Sequence, residues 1–291
     1  MIVRDIRPRG FCKGVHFAIE KVKEVLKSDA YPKPVYILGY IVHNKHVVDE
    51  LTELGAITLD DHLKTRMDLI EKIDSGTIVI SAHGTPIDVI NKINEKGLTL
   101  VDGTCQDVYV THDLIKAYLD KGYRVIYIGK KGHPETNASL SLGDQVYLIE
   151  NASDVEDLDI EEPIFVTNQT TYSIKDIFNV HMALKDKYDD IIITEEICNA
   201  TRIRQNAIIS SNKDVDLCYI VGDPRSNNSK NLAKLSREMT NTKTFLIQSV
   251  KDINPEDLQD VKVVSVSSGA STPEYLTKEV IGFLKNYSKE N

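Results

Sequence analysis

No stretch of this 291-residue chain approaches the roughly 18 consecutive apolar residues of a bilayer-crossing helix, so no membrane span is expected. The first residues, Met1-Ile-Val-Arg-Asp-Ile-Arg7, are a charged strand pattern and lack the apolar core and cleavage site of a secretory signal. Basic residues are not in excess. Lys and Arg total 35 against 44 Asp and Glu, and a net charge of −9 argues against nucleic acid or an anionic membrane as the main partner. Cysteine is scarce, with four in all and no C-x-x-C pair, which removes the usual structural-zinc signature. Without a secretory signal these cysteines are expected to be reduced, in a cytoplasmic protein, and their use is metal-binding or catalytic rather than disulfide. No Gly/Ser linker or low-complexity tract divides a chain long enough for two or three domains.

What is present is a repeat. Cys12, Cys105 and Cys198 are equally spaced, since 105 − 12 and 198 − 105 are both 93. Each sits in a short turn ahead of a helical pattern: Gly10-Phe11-Cys12-Lys13-Gly14, Asp102-Gly103-Thr104-Cys105-Gln106, and Glu196-Ile197-Cys198-Asn199-Ala200. A glycine-ended strand then follows, at Gly39, Gly129 and Gly222, which lie 27, 24 and 24 residues beyond the cysteines. Polar turns come next in each copy: Val42-His43-Asn44, Gly132-His133-Pro134-Glu135 and Ser226-Asn227-Asn228-Ser229. A second strand and turn complete the copy, with Ala82-His83-Gly84-Thr85-Pro86, Asn168-Gln169-Thr170-Thr171 and Ser267-Ser268-Gly269-Ala270-Ser271. Thr85 and Pro86 are placed as helix N-cap and first-turn residue.

Alternating strands and helices of this kind predict an α/β fold of parallel sheets. The expected architecture is a trefoil of three pseudo-repeated modules around a pseudo-threefold axis. Module 1 spans 14–100, with the strand and Cys12 loop of residues 1–13 at the centre; module 2 spans 101–195 and module 3 spans 196–287, leaving 288–291 as a frayed tail. Ligands of parallel sheets bind beyond the carboxyl ends of the strands, which would gather three cysteines and six polar turns about one central iron–sulfur cavity.

Three thiolates without a fourth are an unusual ligand set. An iron–sulfur cluster accepts it, and the iron without a protein thiolate stays open to bind a substrate oxygen as a Lewis acid. Any one cysteine could be a small buried hydrophobe, as Cys218 within Leu217-Cys-Tyr-Ile-Val221 is read; three in phase are not so explained. His43, His83 and His133 in polar turns, with helix N-termini behind them, suit a phosphate or diphosphate. His16, His46, His62, His112 and His181 fall within helical patterns and are read as solvated or satisfied. Glu135 is either a proton relay to a leaving hydroxyl or a first-turn glutamate complementing the helix dipole. Thr170 and Thr171 in module 2, and Ser226, Asn228 and Ser271 in module 3, add hydroxyl and amide donors, although such residues are also common N-caps.

The ordered motifs GFCKGV, IVHNKHVVDEL, AHG, DGTC, GHPE, NQTT, EEICNAT, SNNSKNL and SSGASTPEYL cover essentially the whole chain. In that order they resemble the IspH/LytB family of 4-hydroxy-3-methylbut-2-enyl diphosphate reductases, the terminal enzymes of the methylerythritol phosphate route to isoprenoids. The resemblance implies a 4Fe–4S cluster on Cys12, Cys105 and Cys198 with one open iron. It also implies reductive loss of the substrate hydroxyl as water, giving isopentenyl and dimethylallyl diphosphate. By the same resemblance His43, His83, Ser226, Asn228 and Ser271 bind the diphosphate, and Asn227 is counted with them. His133 lies between diphosphate and proton relay, Glu135 is the proton source and Thr170 is near the substrate hydroxyl. The electron donor would be ferredoxin or flavodoxin. Three positions depart from the pattern: Gln106 stands where proline is common, Asn227 where serine is frequent, and Thr136-Asn137-Ala138-Ser139 lacks the usual glycine. Two other classes remain, a redox-neutral iron–sulfur dehydratase of a phosphorylated substrate and a non-enzymatic iron–sulfur sensor. Dependence on a reductant separates the first from a reductase, and an interaction surface in place of a small-molecule cavity marks the second.

Overall fold

A computed structural model of the chain describes residues 1–61 and 63–290, so His62 and Asn291 lie outside the described residues. The chain opens with strand β1 (Ile2–Asp5) and continues through α1 (Lys13–Lys27), β2 (Val35–Leu38), α2 (Lys45–Glu53), β3 (Ile57–Leu59), α3 (Arg66–Glu71), β4 (Thr77–Ile80), α4 (Ile87–Glu95) and β5 (Thr99–Asp102). These strands, β1 apart, form a parallel sheet in the order β3-β2-β4-β5. The pattern then repeats with α5 (Gln106–Leu119), β6 (Arg124–Ile128), α6 (Pro134–Leu140), β7 (Val146–Ile149), β8 (Ile164–Asn168), α7 (Ile174–Lys187) and β9 (Ile191–Ile193), giving the parallel order β7-β6-β8-β9. It repeats once more with α8 (Asn199–Ser211), β10 (Leu217–Val221), α9 (Asn227–Thr240), β11 (Lys243–Ile247), β12 (Val263–Ser268) and α10 (Glu274–Glu290). Here β1 supplies the edge strand, in the order β1-β12-β10-β11. The expected α/β class, with three repeated parallel-sheet modules, is the fold the chain adopts.

The central strands are continuous apolar runs because both of their faces are covered by helices. In the second sheet, Ile126, Ile128 and Val166 meet Ile177, Val180 and Leu184 of α7 on one face, while Val125, Tyr127 and Phe165 meet Ile115 of α5 on the other. In the third sheet, Leu217, Tyr219, Val221, Val264 and Val266 pack on Leu276, Val280 and Leu284 of α10. Cys218 and Ile220 point the other way, onto Ile208, Leu232 and Ala233, so Cys218 is core as read. In each sheet the strand order reverses between the two central strands, β2/β4, β6/β8 and β10/β12. The turns that follow those six strands are the six polar turns of the sequence, at the switch points where parallel sheets bind ligands.

Three expectations shift. Helix α4 begins at Ile87 with Pro86 at the N-cap position, and the Thr85 hydroxyl instead accepts a hydrogen bond from Arg66 Nη1 at 2.7 Å. The apolar spacing of Leu63, Met67, Ile70 and Ile73 predicts a helix across all four, but only α3 forms, and Leu63 lies outside it and is exposed. The expected tail is helical as far as Glu290, with the Ser288 hydroxyl donating to the Met1 carbonyl at 2.7 Å.

The chain divides into two compact units. Unit 1 comprises Met1–Lys13, His43–His46 and Cys198–Asn291, and holds the third sheet. Unit 2 comprises Gly14–Val42 and Val47–Ile197, and holds the first two.

Candidate active site

In unit 2, Cys105 caps the N-terminus of α5, and its N–H donates to the Ala82 carbonyl at 3.0 Å, which ties it to the residue before His83. Gly14 approaches this thiol so closely that a Cβ there would stand 2.4 Å from Cys105 Sγ; only glycine fits. The His83 and His133 rings are edge to face, with centroids 5.3 Å apart. His133 is the N-cap of α6, and its Nδ1 accepts the Glu135 N–H at 3.2 Å. The neutral imidazole therefore carries its proton on Nε2.

Glu135 is buried, 2 % exposed. Thr170 holds both of its oxygens, the N–H donating to Oε1 at 2.6 Å and the hydroxyl to Oε2 at 3.1 Å. Those donors favour the carboxylate, but burial outweighs them and Asp107 adds to it, raising the pKa to about 7. A glutamate serving only the helix dipole stays wet and ionised. This one is dry, held at both oxygens and poised near neutrality, as a general acid must be.

In unit 1, Cys12 immediately precedes α1 and Cys198 caps α8. The Cys12 N–H donates to the Ala270 carbonyl (3.0 Å), and the Ala270 N–H donates to Asn228 Oδ1 (2.8 Å). Asn228 Nδ2 then donates to Thr201 Oγ1 (3.1 Å), which also accepts from Cys198 Sγ (3.1 Å). One asparagine thus connects the two cysteine turns to the turn after β12. Ser226 caps α9 by accepting the Ser229 N–H at 3.3 Å, and the Ser271 hydroxyl donates to the His43 carbonyl at 3.0 Å. The Ser226 and Ser271 oxygens stand 3.5 Å apart. Asn227 is the buried first residue of α9. Ser229 fills the gap between Gly222 and Gly269, where a Cβ would stand 2.2 Å and 2.0 Å from its oxygen, so α9 seats directly against both turns.

Every candidate residue of the sequence thus lies in one of two groups: Cys105, His83, His133, Glu135, Thr170 and Thr171 in unit 2; Cys12, Cys198, His43, Ser226, Asn227, Asn228 and Ser271 in unit 1. Two residues were missed. His112 is neither solvated nor satisfied: it is buried, its Nε2 has no hydrogen-bond partner, and burial lowers its pKa to about 4. Its Cε1 stands 3.4 Å from where a Cβ on Gly84 would be, directly behind the His83 turn. The other is Arg204, a buried guanidinium on α8 whose sequence neighbours give no hint of burial.

Comparison with known proteins agrees in family and fold. The family model described as LytB protein matches residues 3–285. The 4-hydroxy-3-methylbut-2-enyl diphosphate reductase of Anoxybacillus flavithermus is 46% identical over 293 residues, covering 100% of this chain and 92% of the relative. That of Bacillus subtilis is 44% identical over 293 residues, covering 100% of this chain and 93% of the relative. The solved structure of the E-1-hydroxy-2-methyl-but-2-enyl-4-diphosphate reductase from Plasmodium falciparum superposes with a TM-score of 0.91 at 33% identity, covering 98% of this chain and 88% of that one.

Proposed function

The chain belongs to the LytB family of 4-hydroxy-3-methylbut-2-enyl diphosphate reductases, and we infer that its in-phase cysteines, polar turns and Glu135 carry out that reductive dehydroxylation. The enzyme acts on an allylic diphosphate: two electrons and two protons enter, the C–O bond to the hydroxyl breaks, and water and a C5 diphosphate leave. The single observation that carries the assignment of roles is Glu135, buried, held by Thr170 at both oxygens and with its pKa raised to about 7.

The cysteines fit an iron–sulfur cluster by their donor chemistry. They are three thiols at helix N-termini with no fourth partner in phase, and Gly14 leaves clear the space that a side chain would take from Cys105 Sγ. In this reading Cys12, Cys105 and Cys198 hold a 4Fe–4S cluster with one open iron, one thiolate coming from each of the three cysteine turns of the repeat. When bound, the cluster supplies electrons and a Lewis-acidic iron.

The chain's own groups do the rest. Glu135, with its pKa raised by burial to about 7, delivers a proton to the departing hydroxyl, and Thr170 holds the carboxylate that remains, which offsets part of the desolvation cost of the buried anion. His133, with its proton on Nε2, and His83 beside it donate to diphosphate oxygens, joined by His43. Ser226, Asn227 and Asn228 at the start of the 14-residue helix α9, together with Ser271, supply neutral donors backed by the helix dipole. The reductant would be ferredoxin or flavodoxin and the compartment the cytoplasm. Among the described residues no helix is long and apolar enough to cross a membrane.

The test is anaerobic. Purified protein is analysed for iron and sulfide, then given the allylic diphosphate with a low-potential reductant. Formation of isopentenyl and dimethylallyl diphosphate with two electrons consumed per turnover supports the reading. An iron-loaded protein that dehydrates substrate without reductant, or that leaves it unchanged, sinks it.

A further inference from the structure

Among the described residues, Arg204 is the arginine whose buried side chain lies among carbonyls beside two of the candidate cluster ligands. It is 4 % exposed. Nη1 donates to the Ala200 carbonyl at 2.8 Å, two residues after Cys198, and Nη2 donates to the Gly10 carbonyl at 2.8 Å, two residues before Cys12. Nε is buried without a hydrogen-bond partner. Burial works against its charge, and among the described residues of unit 1 the groups placed to favour the protonated form are the Cys12 and Cys198 side chains rather than a carboxylate. Arginine does not shed its proton to escape burial. A fixed cation has therefore been placed in a dry site beside two cysteine side chains, and a buried charge left without an anionic partner is destabilising.

We propose that Arg204 is the counter-charge of the iron–sulfur cluster and the clamp that holds the Cys12 and Cys198 turns together. This rests on the reading that those cysteines carry the cluster. A cluster on thiolates is anionic and becomes more so with each electron it accepts, so a nearby buried cation favours the reduced form and raises the reduction potential. Arg204 is thus a positioning residue: it acts through the cysteines and touches no substrate. Its two carbonyl bonds set the spacing of the turns, while its charge sets the potential, and the two contributions separate by substitution.

Wild type, Arg204→Lys and Arg204→Gln are reconstituted anaerobically, counted for iron and sulfide, and titrated electrochemically with detection of the reduced cluster by electron paramagnetic resonance. Apoprotein melting is recorded alongside. The expected result is a cluster in all three, with the midpoint of Arg204→Gln displaced to more negative potential and that of Arg204→Lys close to wild type. The apoproteins of both variants should fold: Arg204→Gln gives up two carbonyl bonds but also an uncompensated charge, and Arg204→Lys keeps the charge and can still donate to a carbonyl. A midpoint in Arg204→Gln that coincides with wild type overturns the proposal. So does failure of the Arg204→Gln apoprotein to fold, which would assign the arginine to the backbone clamp alone. If wild type itself retains no iron, the cluster reading has failed instead, and the metal count shows this before any potential is measured.

Discussion

The turns after β6 and β8 and the turns after β10 and β12 hold the same places in successive copies of one repeat, but they bear different chemistry. In unit 2 those positions hold His133, Glu135 and Thr170, and the carboxyl titrates near neutrality. In unit 1 they hold Ser226, Asn227, Asn228 and Ser271, none of which ionises. The backbone device is shared: a central strand ends, a short turn follows, and a helix opens with a side-chain cap, His133 in one case and Ser226 in the other. What differs is whether the group at the cap can change charge. A proton donor needs a group whose protonation is balanced at working pH, and a permanent anion is best held by donors that never change. In the proposed reading, repetition supplied the scaffold, and substitution within it gave one copy a titratable proton donor where the next has only neutral donors.

The features the units share should give the largest effect. Serine in place of Cys105, Cys12 or Cys198 is expected to remove the cluster equally, leaving iron and sulfide at background; a variant that retains full iron would exclude that cysteine from the ligand set. Next comes Glu135→Gln, which should keep iron and substrate affinity but lose turnover by about 10²- to 10⁴-fold. In wild type kcat should fall as pH rises through about 7, because the acid form is lost, and the residual activity of the variant should lack that limb. Ordinary turnover in the variant would abolish the contrast between the two units.

Stability sharpens the same contrast. The folded pKa of Glu135 lies above its ordinary value of 4.5, so the folded state binds more protons than the unfolded one between about 4.5 and 7. Wild-type stability relative to Glu135→Gln is then highest below 4.5 and falls by about 3 kcal/mol across that window. Melting curves at several pH values check this, and parallel curves would mean that the carboxyl is already ionised in the fold. Ser271→Ala, on the unit 1 side, should raise KM about tenfold with kcat retained, since the loss of one hydrogen bond to a charged group is worth about 1.5 kcal/mol. A fall in kcat instead would place Ser271 with the proton chemistry. The smallest effect is expected at Tyr127, whose buried hydroxyl lies beside Glu135 and Ser139 but outside good hydrogen-bond geometry to either. Tyr127→Phe should leave stability unchanged or raise it by up to about 1 kcal/mol in a denaturant titration.

The three cysteines, the glycine-ended strands and the polar turns were legible because each depends on local sequence: buried central strands are apolar runs, and glycine or a capping residue marks where they end. The edge strands β3, β7, β9 and β11 were not, since each is three to five residues long and half-covered, with no period to read. The short α3 was over-read because Leu63 and Ile73 continue its apolar spacing while lying outside the helix.

Residue type and spacing alone determined the fold class, the repeat and the roster of chemical groups, because those follow from patterns a few residues long recurring in phase. Environment was left to tertiary structure. That Glu135 is dry and gripped by Thr170, 35 residues on, that His112 lies behind Gly84, and that Arg204 reaches Gly10, 194 residues away, depend on which segments pack together. Burial and partner charge decide whether such a group is a solvated surface residue or part of a site, and neither is written in the residue's own neighbourhood.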